Sequence, residues 1–107
     1  MNVNLKVSKM KGKALEKFQE YVYSKYEIGY YQFLELPLVC QQALWVEWFD
    51  SVGIFILIEF RVEEFWFTIK ERKETLYSVC TQNDESKSRP EALSKAIEKA
   101  MEIFNNL

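Results

Sequence analysis

The sequence predicts an α+β domain, a four-stranded antiparallel meander flanked by N- and C-terminal helices. Three patterns lead there. Apolar residues recur at helical spacing from Leu93 to Phe104 and from Leu15 to Tyr26, and two runs with period-two patterning, Ile54 to Val62 and Phe65 to Lys70, flank Glu63-Glu64. The whole chain of 107 residues, 49% apolar, fits one domain with a single core.

In chain order, a first helix is expected over about Lys9 to Tyr26. Leu15, Phe18, Val22 and Tyr26 share one face, Ser8 is a cap candidate, and Gly12 costs nearly 1 kcal/mol if it lies in the helix interior. Lys9, Lys13 and Lys17 repeat every four residues on the opposite side. Over Pro37 to Val52 two readings compete. As a helix, the segment gathers Leu38, Leu44, Trp45, Trp48, Phe49 and Val52 on one side, but Gln41 interrupts that face. The preferred reading is a short helical turn to about Gln42 and then a strand from Ala43 to Phe49, closed by a turn at Asp50-Ser51-Val52-Gly53 with Gly53 at positive φ.

Ile54, Ile56, Ile58, Phe60 and Val62 alternate with Phe55, Leu57, Glu59 and Arg61, as a half-buried strand requires. After a break at Glu63-Glu64, Phe65, Phe67 and Ile69 alternate with Trp66, Thr68 and Lys70, which predicts a hairpin. A further strand over about Thr75 to Thr81 points Tyr77 and Val79 inward. Ser88-Arg89-Pro90-Glu91 then has the form of a capping box. It opens a helix whose stripe is Leu93, Ala96, Ile97, Ala100, Met101 and Phe104.

Composition narrows the chemistry. The chain has no histidine, so the side chain that most often moves protons at neutral pH is missing. It also lacks a Gly-rich phosphate loop and a Cys-x-x-Cys pair. Carboxylate-only catalysis, with Glu47 and Asp50 or Glu59 as the acids, is the weakest of the functional readings, because split carboxylate pKa values need an enclosed pocket. No cofactor or metal is implied. Cys40 and Cys80 lie among apolar neighbours and are expected to be reduced and mostly buried. No apolar run reaches the ~20 residues of a membrane span, which favours a cytoplasmic protein.

The net charge of −2 hides segregation. Residues 1–26 carry six lysines against Glu16 and Glu20, and residues 27–67 carry seven acids against Arg61 alone. Lys6, Lys9, Lys13 and Lys17 are candidate phosphate contacts for a nucleic-acid-binding regulator, although nucleic-acid domains are generally basic and the sequence pI is about 5.3. The leading expectation is protein binding. One sheet face is expected to leave Phe55, Leu57 and Trp66 outward with Trp45 and Phe49 beside them, rimmed by Glu47, Asp50, Glu59, Glu63 and Glu64. Aromatic side chains are the commonest binding anchors, and such a face is too apolar to stay wet. A second copy of the chain is one possible cover.

Phe49-Asp50-Ser51-Val52-Gly53-Ile54 enters a strand, and Arg89-Pro90-Glu91-Ala92 opens a helix running through Ala96-Ile97-Glu98-Lys99-Ala100 to Ile103-Phe104-Asn105. In these segments the chain resembles small proteins of bacteriophages and mobile elements. The resemblance implies a non-enzymatic inhibitor of a host defence system, in the manner of an anti-CRISPR protein. Its partner would be a host protein such as a CRISPR effector nuclease or its ribonucleoprotein. Carboxylates would then stand in for a nucleic-acid backbone, since Arg and Lys grooves built for phosphates also bind carboxylates.

Overall fold

The computed structural model describes residues 12–61, 64–71, 74–80 and 88–107. Three helices precede a three-stranded meander and a fourth helix follows it: α1 (Lys13–Tyr26), α2 (Tyr30–Leu34), α3 (Leu38–Ser51), β1 (Ile54–Arg61), β2 (Glu64–Glu71), β3 (Glu74–Cys80) and α4 (Arg89–Asn105). The α+β class stands, with a sheet of order β1-β2-β3, all antiparallel. The expected fourth strand over Ala43 to Phe49 is instead the second half of α3.

That correction has a clear physical cause. Gln41, whose polarity argued against a helix, donates from Nε2 to the carbonyls of Leu34 (3.2 Å) and Leu36 (2.9 Å), closing the end of α2 onto α3. Gln42 donates to the Pro90 carbonyl (2.7 Å) and to Ser94 Oγ (2.9 Å), tying α3 to the first turns of α4. Both amides are buried and satisfied, so neither breaks the face. α3 packs against α1, α4 and β1 at once, which explains why apolar residues surround most of its circumference. Gly53 does take φ 83°, as the turn reading required, but it joins a helix to a strand.

The other elements follow their sequence signals closely. Ser88 caps α4, its Oγ accepting from the Glu91 amide at 3.3 Å. Ala96, Ile97, Ala100 and Met101 form the buried face of α4, with Leu93 and Phe104 packed against the same core. β1 and β2 pair from Ile54↔Glu71 to Arg61↔Glu64, so Glu64 belongs to the strand and not to the break. Tyr77 shares the inner face with Ile69 and stacks on Phe67 at 5.8 Å. A register shift between Ile69 and Lys70 marks a bulge against β3.

Gly12 precedes α1 with φ 83° instead of lying inside it, and Ser8 and Lys9 fall outside the described residues. A Cβ at Gly12 would come within 3.0 Å of the Asn105 side chain, whose Oδ1 accepts from the Ala14 amide at 2.8 Å. The last turn of α4 thus supplies a partner for a helix-start amide of α1 that has no acceptor within its own helix.

Among the described residues, the helices pack on the face of the sheet that carries Ile54, Phe67 and Ile69. α3 and α4 lie against it, and α1 rests on α3 and α4. The core joins Phe18 and Val22 of α1, Phe33 of α2, Trp45, Trp48 and Phe49 of α3, and Ile54, Phe67 and Ile69 of the sheet. Cys40 lies on the outer side of α3 and is exposed, contrary to the expected burial. No described helix is long and apolar enough to cross a membrane.

Candidate functional site: the open face of the sheet

Alternation along paired strands sorts the sheet into two faces. The inner face carries Ile54, Ile56 and Ile58 opposite Glu71, Ile69 and Phe67. Ile54, Phe67 and Ile69 are almost fully buried there. The opposite face carries Phe55, Leu57 and Glu59 on β1, Glu64, Trp66, Thr68 and Lys70 on β2, and Thr75 and Ser78 on β3. Phe55 is 38% exposed and Leu57 42%, and neither Phe55, Leu57 nor Trp66 joins the core. Thr68, at the centre, meets Ser78 through a 3.0 Å contact between hydroxyls.

Of the residues expected to bind a partner, Phe55, Leu57, Glu59, Glu64 and Trp66 therefore share one surface. Trp45, Glu47 and Asp50 do not join it, because the segment that carries them is a helix. Trp45 is fully buried against Phe18, ring on ring at 3.7 Å, and Phe49 is buried beside it. Glu63 lies outside the described residues, as do Lys6 and Lys9. The acidic rim reduces to Glu59 and Glu64, with Lys70 on the same face. Inner-face Phe60 is 57% exposed, its ring 5.0 Å from that of Phe65.

A second polar cluster joins α1 to α3 and was not visible in the sequence. The Glu47 carboxylate accepts from Tyr21 Oη (2.7 Å), from Tyr26 Oη (2.7 and 2.8 Å) and from Lys25 Nζ (3.1 Å). The Tyr26 hydrogen bond, then those of Tyr21 and Lys25, hold the Glu47 carboxyl below its ordinary range despite some desolvation. Hydrogen bonds to Glu47 and then to Tyr21 raise Lys25 above the usual ammonium range. Asp50, one turn on, is shifted upward by partial desolvation and by the charge of Glu47. The two acids considered for catalysis thus diverge, but Glu47 is engaged by three donors as a fastening between helices. The one local sequence hint is the Tyr21-Lys25 spacing on one helical face; its partner Glu47 comes from tertiary packing.

The sign of the acid response follows. A carboxylate with a depressed folded pKa contributes stability above its unfolded pKa and loses it as pH falls through the folded value. Glu47→Gln should lower stability at neutrality, and the gap to wild type should close on acidification through the carboxylate range. Asp50 works the other way, since protonation relieves its unfavourable charge. Urea unfolding along a descending pH series checks this, and a gap that widens in acid would contradict it. With Glu47 36% and Lys25 51% exposed at the side chain, the effect is modest.

Lys13 and Lys17 lie exposed on α1, and Lys17 is within 3.6 Å of Glu20. Among the described residues no group of three Cys, Asp or Glu is placed to hold a metal ion. Comparison with family models, curated proteins and solved structures gives no match to this chain.

Proposed function

We propose that this protein is a non-enzymatic binding module that grips a partner protein through the open face of its sheet. The observation that carries the reading is the exposure of Phe55 and Leu57, with half-buried Trp66 on the same face, against which no described helix packs. Apolar groups that stay in contact with water forgo about 25 cal/mol per Å² of burial, and a partner recovers that term. Trp66, opposite Glu59 and diagonal to Leu57, supplies a rigid aromatic anchor typical of binding hot spots, and Glu59 and Glu64 supply a charged rim. The phage-like segments of the sequence name the class of partner to try first, a defence nuclease whose Arg- and Lys-lined groove would receive those two carboxylates.

Affinity capture from a bacterial lysate, with and without nuclease treatment, identifies the partner, and titration of that partner against variants tests the surface. Trp66→Ala is expected to weaken binding about 30-fold, the effect of losing a hot-spot residue worth roughly 2 kcal/mol. Glu59→Lys with Glu64→Lys should slow association and alter its salt dependence. Undiminished affinity in folded Trp66→Ala would defeat the reading. Tight binding of bare RNA or DNA with a steep salt slope would replace it with the lysine-based one.

A further inference from the structure

The two edges of the sheet are not equivalent. β3 is bulged against β2, and it carries Glu74, Thr75 and Ser78. β1 pairs with β2 in unbroken register along its whole length, and its sequence IFILIEFR has neither Pro, Gly nor Lys. Charge, proline, bulges and covering elements are how soluble proteins keep sheet edges from pairing with other strands. Among the described residues no backbone hydrogen bond joins β1 to anything but β2. β1 also carries most of the large apolar exposure of the sheet: Phe55 at 38%, Leu57 at 42% and Phe60 at 57%.

We propose that two copies of this chain pair edge to edge through β1. The pairing is antiparallel about a twofold axis centred on Leu57 and perpendicular to the sheet, making one six-stranded sheet with all helices on the same side. Such an axis places open-face residues opposite open-face residues, so only registers centred on a residue of β1 qualify. Centring on Glu59 sets two carboxylates directly opposite each other, which is unfavourable. Centring on Ile58 sets Leu57 opposite Glu59 and Phe55 opposite the position of Arg61. Centring on Leu57 sets Leu57 opposite itself, Ile56 opposite Ile58 and Ile54 opposite Phe60. The sole mixed pair is then Phe55 with Glu59, and the two Glu59 positions stand about 13 Å apart along the strands. This register satisfies the backbone of the edge and places Phe60 beside an apolar neighbour. It does not rest on the open face having a partner, although it would set the two copies of Leu57 side by side at the middle of a larger surface.

A cysteine scan in a Cys40→Ser, Cys80→Ser background tests the register. Residues directly opposite across an antiparallel pair have Cβ atoms about 4.5–5.5 Å apart, near disulfide reach. Leu57→Cys should give a covalent dimer on mild oxidation, and Phe55→Cys, about 13 Å from its symmetry mate, should not. Sedimentation of the wild-type protein should show a dimer that dissociates on dilution. Leu57→Lys, which sets like charges face to face across the axis, should weaken self-association about tenfold or more with the circular dichroism spectrum unchanged. Leu57→Thr, suited to a strand but less apolar, provides the same test should the lysine variant misfold. A wild-type protein that stays monomeric at millimolar concentration, or equal cross-linking at both cysteine positions, would overturn the proposal. A dimer whose partner binding is indifferent to Trp66→Ala would uphold it and remove the open-face reading, so the two fail separately.

Discussion

Trp45→Ala is expected to destabilise the protein by about 3–5 kcal/mol, the range for emptying a large aromatic site in a packed core. Trp45 is fully buried, and its ring lies parallel to Phe18 at 3.7 Å, edge-on to Trp48 at 5.9 Å and against Phe49 at 5.8 Å. It therefore joins α1 to α3 and to the layer above the sheet. A domain of this size has about 5–15 kcal/mol in total, so the variant should be mostly unfolded at mild urea concentrations. Trp45→Phe should cost much less. It keeps a ring against Phe18, and Trp45 Nε1–H has no hydrogen-bond partner among the described residues, so no bond is lost. Urea midpoints of the two variants measure this; a Trp45→Ala loss below about 1 kcal/mol would mean that the aromatic stack is not the centre of the core.

Gln42→Leu should show the next largest loss, about 1–3 kcal/mol, although it replaces an amide by an apolar group of similar size in a buried site. The reason is what it leaves behind. The Pro90 carbonyl and Ser94 Oγ, at 2.7 and 2.9 Å from Gln42 Nε2, would lose their donor inside the protein. Ser94→Ala should be milder, because Gln42 still reaches Pro90. Equal stability of Gln42→Leu and wild type would show that the α3–α4 junction depends on packing alone.

Those two residues also mark where the sequence could and could not be read. α4 was legible because its cap and its stripe are local: Ser88 meets Glu91 three residues on, and the apolar positions recur within one helix. The hairpin was legible because the two period-two runs that flank Glu63-Glu64 survive in the observed pairing. α3 was not legible, since its two buried glutamines are satisfied outside their own helix, Gln41 by the end of α2 and Gln42 by α4. Gln42 finds partners 48 and 52 residues away, and without them a glutamine amid leucine and tryptophan looks like a boundary. Reading that stretch as a strand moved Trp45, Glu47 and Asp50 onto the wrong surface and missed the cluster that Tyr21, Lys25 and Tyr26 build around Glu47. The open face survived this error because Phe55, Leu57 and Trp66 depend only on period-two geometry within the strands.

The most direct test of the proposed mode of action is a footprint of the bound protein: hydrogen exchange and side-chain NMR, with and without the captured partner. Changes are expected at Phe55, Leu57, Trp66 and Thr68, with Lys13 and Lys17 of α1 unaffected. Changes confined to the helical side, with Trp66 and Leu57 as solvent-accessible as in the free protein, would contradict it.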